Sequence, residues 1–142
     1  LDMGAMGVIV PMVKSAEEVS RIVQQTKYPP YGTRSWGPLR ASQYTIDNED
    51  YFEKANDNII VGIILETVDA LNDLENIISV PGLNVIVVGP WDLALSLGLD
   101  PRKLPLPEID EIAASTDLAE ISIVSTWIAD TSPTSYPAAA RY

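Results

Sequence analysis

Three short apolar runs, each followed by a turn and a segment with helical periodicity, occupy the first hundred residues of this 142-residue chain. The runs are residues 5–13, residues 59–65 and Val85–Val88, and they are rich in Val and Ile. Runs of this length that are apolar throughout are typical of strands buried on both faces. Their alternation with helices predicts a parallel α/β sheet with right-handed crossovers.

Helix signals follow the first two runs. Ser15 and Glu18 form an S-x-x-E capping box, so a helix with one apolar face is predicted after Ser15. Thr67 caps a second predicted helix, which Pro81 and Gly82 end. Apolar residues recur at helical spacing in this second helix, at Val68, Leu71, Leu74, Ile77 and Ile78, and the acids expected on its solvated face are Asp69, Asp73 and Glu75.

Residues 28–44 contain three prolines, two glycines and four aromatic residues, which predicts a long, ordered loop. A short helix is predicted after it, over residues 49–55. Arg34 has two interpretations: it braces the loop, or it reaches a substrate carboxylate. Arg40 has the same two. The loop aromatics Tyr28, Tyr31, Trp36 and Tyr44 are expected to pack the loop or to contact another subunit.

The composition limits the chemistry that this chain can perform. Nine basic and 20 acidic residues give a net charge of −11, which argues against a nucleic-acid-binding or membrane-surface protein and suits cation binding. The chain has no Cys and no His, which excludes thiolate zinc sites, disulfide scaffolds and Ser-His or Cys-His pairs within it. Chemistry by this chain alone therefore depends on carboxylates, Lys, Arg, Tyr or a metal.

Two carboxylates occupy equivalent places after neighbouring strands. Glu66 follows the second apolar run and Asp92 follows the third, 26 residues later, so both are predicted at the carboxyl-end mouth of a parallel sheet. Two carboxylates with water or substrate suit Mg2+ or Mn2+. The alternative is that both acids lie at helix N-termini only because the helix dipole favours them there.

The third run continues into a Gly-Pro turn. Gly89 allows a ligand to approach the backbone, and the amides of Trp91 and Asp92 at a helix start can receive an anionic group such as a carboxylate. This helix is predicted to end near Gly98. The same Gly-Pro sequence is also a routine connector between a strand and a helix.

Three segments of the chain carry a resemblance to a known family, in the order LDMGAMGVIVPMV, KYPPYGTRSWG and ILETVDALNDLENIISVPGLNVIVVGPWDLALSLG. Together they resemble the HpcH/HpaI aldolase family of metal-dependent class II pyruvate aldolases, which is related to the citrate lyase β-subunit. The resemblance implies a (β/α)8 barrel of the TIM type that cleaves a 4-hydroxy-2-oxo acid into pyruvate and an aldehyde. It implies that Glu66 and Asp92 hold a divalent metal, Mg2+, Mn2+ or Co2+. The turn of Gly89, Pro90 and Trp91 then holds the pyruvate carboxylate.

Departures from the family pattern qualify this expectation. Ile64 stands where the family usually has Gln, and Trp91 is bulkier than the usual residue and is expected to narrow the aldehyde side. The family's catalytic His and an oxo-group-binding Arg come from earlier strands, so the chain is expected to be a partial barrel without its N-terminal strands or a general base, and inactive alone. A homotrimer or homohexamer is implied for the complete protein.

Two other functions are compatible with these residues. A citryl-CoA or malyl-CoA type lyase shares the barrel and the two acids but requires a surface for the CoA phosphates. The non-enzyme alternative is a truncated remnant that retains a metal half-site.

Residues 1–99 are predicted to be the barrel segment, and residues 100–142 a divergent or weakly ordered tail in which residues 120–128 have strand character. No apolar run reaches the length of a membrane-spanning helix, and a cytoplasmic protein is expected.

Overall fold

The computed structural model describes residues 1–44, 48–103 and 122–125. The strands of this part form one parallel sheet in the order β1-β2-β3-β4. In chain order the elements are β1 (Gly7–Val10), α1 (Ala16–Thr26), α2 (Asn48–Asn58), β2 (Ile60–Leu65), α3 (Val68–Asn72), α4 (Leu74–Ile78), β3 (Val85–Val88), α5 (Pro90–Ser96), a 3-10 turn (Pro101–Lys103) and β4 (Ser122–Ser125). The predicted parallel α/β class is confirmed, and the arrangement is that of a partial (β/α)8-type barrel.

One face of the sheet carries the core. Val61, Ile63 and Leu65 lie on the same face of β2, because successive strand residues point to opposite faces. All three are buried. The cluster that includes Ile63 and Leu65 joins this face to the helices, and its other members are Val13, Val19, Ala70, Ile77, Leu83 and Ile86.

The opposite face is more open. Ile9 on β1 is 55% exposed. A Cβ built on Gly62 would lie 3.2 Å from Cγ1 of Ile9 and 3.4 Å from Cβ of Val85, so these neighbours share that face. Alternation along β2 places Ile64 and then Glu66 on the same side. Glu66, the residue directly after β2, thus lies on this face of the sheet, at a point where it is itself buried.

The capping box before α1 forms with a small shift. The Ser15 hydroxyl accepts a hydrogen bond from the Glu18 amide at 3.3 Å, as predicted for an N-cap. The Glu18 carboxylate accepts its reciprocal bond from the amide of Lys14, at 2.8 Å, one residue before the cap.

The prediction of a single helix after Thr67 is wrong. The segment forms two short helices, α3 and α4, that meet at Asp73. The Asp73 carboxylate accepts hydrogen bonds from the Ala16 amide at 2.7 Å and from the Asn76 side chain at 2.6 Å. Asp73 itself has φ −105° and ψ 14°, away from the α-helical values, so its backbone interrupts the helix. Hydrogen bonds from Asn76 and then Ala16 lower the pKa of Asp73, so this acid does more than lie on a solvated face.

Ser122–Ser125 pair in parallel register with Val85–Val88, within the stretch whose sequence has strand character. Residues 104–121 and 126–142 lie outside the described residues. The domain boundary near residue 100 and the weakly ordered tail therefore stay predictions. No helix within the described ranges has both the length and the apolar character needed to cross a membrane.

Candidate metal and substrate site

Glu66 is the first residue after β2 and is 6% exposed. Its Oε1 atom accepts a hydrogen bond from the amide of Met12 at 2.7 Å. Met12 lies just beyond the carboxyl end of β1, so the contact joins two neighbouring strand ends. The carboxylate is therefore held at the carboxyl edge of the sheet, where ligands collect in parallel α/β folds.

Gly89 provides the space that the other Glu66 oxygen occupies. A Cβ built on Gly89 would lie 2.9 Å from Oε2 of Glu66 and 3.0 Å from Cγ2 of Ile64. The Gly89 amide also donates a hydrogen bond to the Leu65 carbonyl at 3.0 Å. Glu66 and the start of α5 therefore pack against each other with no room for a larger residue at position 89.

Thr67, the residue after Glu66, connects the loops at this edge of the sheet through hydrogen bonds. Its buried hydroxyl donates to the Val13 carbonyl at 2.8 Å and accepts from the Ala70 amide at 3.1 Å, which makes it the predicted N-cap of α3. The Val68 amide donates to the Ser96 hydroxyl at 2.8 Å. The loops after β1 and β2 and the helix after β3 are thus linked by hydrogen bonds.

Asp92 lies in the first turn of α5 and is exposed. The first intrahelical bond of α5 runs from the Leu93 amide to the Gly89 carbonyl at 3.0 Å, so the amides of Trp91 and Asp92 precede the regular helix bonding. Trp91 is 49% exposed at the same turn. The structure therefore brings the predicted turn and both predicted acids to the carboxyl ends of the adjacent strands β2 and β3.

The donor set at this edge fits part of a hard-cation site. Carboxylate oxygens are the ligands that Mg2+ and Mn2+ prefer, and Mg2+ is commonly held by one or two carboxylates with water and substrate. No group of three or more acidic, His or Cys side chains suited to a metal occurs in the described part of the chain. Ile64 lies on the same face of β2 as Glu66. It adds an apolar side chain where the family that the sequence resembles usually has a polar one.

Arg34 lies elsewhere. Its guanidinium forms a short ion pair with Asp2 and donates a hydrogen bond to the Tyr51 hydroxyl at 3.3 Å. It also lies 4.5 Å from the ring centroid of Tyr28. Asp2 precedes β1, whereas Glu66 and Gly89 follow their strands. These contacts favour the interpretation that Arg34 braces the loop, and its catalytic role stays an untested prediction.

The loop aromatics divide into packed and exposed residues. Tyr28 is buried, and its ring lies 5.4 Å from that of Trp36 and 5.6 Å from that of Phe52, centroid to centroid. Burial raises the pKa of Tyr28 to about 12 against the opposing effect of Arg34. Tyr31 and Tyr44 are exposed. A hollow of about 880 Å3 beside this cluster is lined by Tyr28, Arg34 and Trp36 rather than by the strand-end residues.

Sequence reasoning missed the role of Met12. Its contribution is a backbone amide, which every non-proline residue carries, so no side-chain pattern signals it. The role of Gly89 was only partly anticipated, because its missing side chain makes room for Glu66 as well as for any ligand.

A family model described as HpcH/HpaI aldolase/citrate lyase matches residues 1–105. The chain is 38% identical to a hydroxypyruvate/pyruvate aldolase of Cupriavidus necator over 99% of this chain and 51% of the relative. It is 37% identical to a 2-keto-3-deoxy-L-rhamnonate aldolase of Escherichia coli over 79% of this chain and 42% of the relative. The crystal structure of an HpcH/HpaI aldolase from Desulfitobacterium hafniense matches with a TM-score of 0.72 and 31% identity, over 80% of this chain and 44% of that one. The chain thus spans about half the length of the curated relatives that it matches.

Proposed function

The chain belongs to the HpcH/HpaI aldolase/citrate lyase family, and from this premise we propose that it forms the metal- and pyruvate-binding part of a carbon-carbon lyase. The reaction is aldol cleavage of a 4-hydroxy-2-oxo acid to pyruvate and an aldehyde, or its reverse. The observation that carries the proposal is the buried Glu66 carboxylate, held at the carboxyl edge of a parallel sheet beside the turn that leads to Asp92.

In this proposal Glu66 and Asp92 hold a divalent cation, Mg2+ or Mn2+, with Co2+ as a further candidate. When bound, such a cation supplies Lewis acidity to the 2-oxo group of the substrate. Glu66 is preorganised for this task because its hydrogen bond to Met12 and its packing on Gly89 hold the side chain in place. Asp92 is more accessible and contributes its carboxylate from the first turn of α5.

The turn of Gly89, Pro90 and Trp91 binds the substrate carboxylate. The Trp91 amide precedes the regular hydrogen bonding of α5, which leaves it available to an anion at the helix start. The half-exposed Trp91 indole then borders the substrate and limits the bulk of the aldehyde portion.

The chain carries no His, so it lacks the residue that serves as general base in the family pattern. General acid-base catalysis typically contributes about 10^2 to 10^4 in rate. We therefore expect turnover to require residues beyond this chain, and the homo-oligomeric assembly of the complete protein remains part of the proposal.

A citryl-CoA or malyl-CoA type lyase would use the same two acids and is distinguished by a requirement for a CoA thioester.

The test is calorimetric titration of Mn2+ into the chain and into its Glu66→Gln and Asp92→Asn variants. Both substitutions remove a charged oxygen ligand at nearly constant volume, so each is expected to abolish measurable binding. Glu53→Gln, an exposed acid on α2, is the matched control and should bind as the wild type does. Unchanged Mn2+ binding by Glu66→Gln would show that the metal lies elsewhere.

The substrate class is tested with the complete protein. We expect metal-dependent release of pyruvate from 4-hydroxy-2-oxo acids, detected by coupling to pyruvate reduction. Absence of pyruvate with such substrates at saturating Mg2+, Mn2+ and Co2+ would refute the aldolase proposal, and activity confined to a CoA thioester would favour the other lyase.

A further inference from the structure

Met12 has an unusual backbone conformation. Its φ is +57°, in the left-handed region that residues other than Gly, Asn and Asp seldom adopt. Its side chain is 56% exposed, so burial of that side chain does not hold the conformation. The next residue, Val13, is buried, and its carbonyl is bound by the Thr67 hydroxyl. The turn is therefore fixed on both sides of Met12 by contacts that its own side chain does not make.

The two oxygens of Glu66 have different surroundings. Oε1 accepts the Met12 amide at 2.7 Å. Oε2 lies on the side of Gly89, 2.9 Å from the position that a Cβ would take there. Gly89 is the N-cap of α5, the helix that carries Asp92 in its first turn. One oxygen is thus anchored to the end of β1, and the other faces the element that bears the second proposed ligand.

We propose that Met12 is a positioning residue, whose left-handed backbone directs its amide to Oε1 of Glu66 and so holds Oε2 toward the start of α5, where it would be offered to the cation. The inference rests on the proposed function and deepens it, because it assigns the ligating oxygen and the group that orients it. Groups that orient a metal ligand commonly change metal affinity when they are altered.

A matched pair of substitutions separates the backbone of Met12 from its side chain. Met12→Gly removes the side chain and adopts positive φ readily, whereas Met12→Ile keeps an apolar side chain of similar size but disfavours positive φ. We expect Met12→Gly to bind Mn2+ within about twofold of the wild type and Met12→Ile to bind about tenfold more weakly, as for other groups that orient metal ligands. Circular dichroism of both variants checks that the fold is retained.

A second measurement needs no metal. In the proton-nitrogen correlation spectrum of the chain, the Met12 amide proton should lie downfield, and Glu66→Gln should shift it upfield and speed its exchange with solvent. A charge-assisted hydrogen bond is shorter and stronger than a neutral one, which is the reason for the shift. Asp92→Asn is the control and should leave this resonance in place.

The possible results separate the inference from the proposed function. If the wild type binds Mn2+ but Met12→Ile binds it equally well, or Met12→Gly loses as much affinity as Met12→Ile, the inference is overturned while the metal site stands. An unmoved Met12 amide in Glu66→Gln overturns it as well. If the wild type binds no Mn2+, the proposed function fails and the assignment of Oε2 fails with it.

Discussion

Gly89 has a φ of −97°, which any residue can adopt, so its backbone does not require glycine. The requirement is spatial, because Oε2 and Cβ of Glu66 and Cγ2 of Ile64 all lie within 3.0 Å of the position of an added Cβ. A single missing methyl group therefore permits a buried carboxylate to pack against the start of a helix.

Gly89→Ala tests this spatial role. The new methyl group must displace Glu66 or Ile64, and such overpacking typically costs about 1–3 kcal/mol of stability. We expect that loss in urea unfolding, together with weaker Mn2+ binding, because Glu66 moves from its anchored position. Gly37→Ala is the matched control, since its added Cβ would meet only Asp2 Oδ2 at 3.4 Å. Equal stability and metal affinity for both variants would contradict the role of Gly89.

The strands and the helix starts were predictable from the sequence because their signals are local. The run at residues 59–65 became β2 (Ile60–Leu65), and Ser15 and Thr67 became N-caps, since an apolar run and a hydroxyl before a helix act within a few residues. The break between α3 and α4 was not predictable. The break lies at Asp73, which leaves the helical conformation and whose carboxylate binds the Ala16 amide, 57 residues away in the chain.

Thr67→Val tests how strongly one cap joins two elements. Valine keeps the shape but loses the hydroxyl that caps α3 and binds the Val13 carbonyl. Loss of an N-cap costs about 0.5–2 kcal/mol, and an unpaired buried carbonyl costs about 1–3 kcal/mol more. We expect a fall of about 1.5–5 kcal/mol in the free energy of unfolding measured in urea. Thr67→Ser retains the hydroxyl and should lose far less; a loss equal to that of Thr67→Val would assign the effect to the methyl group.

At the scale of the whole molecule, the sequence predicted which strand ends meet but not how their side chains are held. Parallel pairing of β2 and β3 brings Glu66 and the turn before Asp92 to one edge, as their spacing indicated. The orientation of Glu66 depends on an amide donated from the end of β1, 54 residues earlier. Topology follows from periodicity, whereas the position of a carboxylate oxygen follows from contacts that only the folded chain makes.

A divalent cation bound as proposed would stabilise this molecule in two separable ways. Its net charge of −11 makes any cation stabilising through screening of self-repulsion, whereas a cation that binds only the folded state adds RT ln(1 + [L]/Kd). At a concentration of about 100 Kd that second contribution is about 2.7 kcal/mol. We expect Mn2+ to raise the free energy of unfolding by about this amount beyond NaCl of equal ionic strength, with binding to the folded state as the cause.

In Glu66→Gln, Mn2+ should give only the part of the stabilisation that NaCl also gives. The net charge of this variant changes by one unit, but the proposed ligand is lost. Glu53→Gln makes the same change of charge on α2 and should keep the full response to Mn2+. Urea unfolding of the three proteins, with and without Mn2+, gives the comparison. If Glu66→Gln gained as much from Mn2+ as Glu53→Gln, the stabilisation would come from the acidic surface as a whole and not from the edge of the sheet.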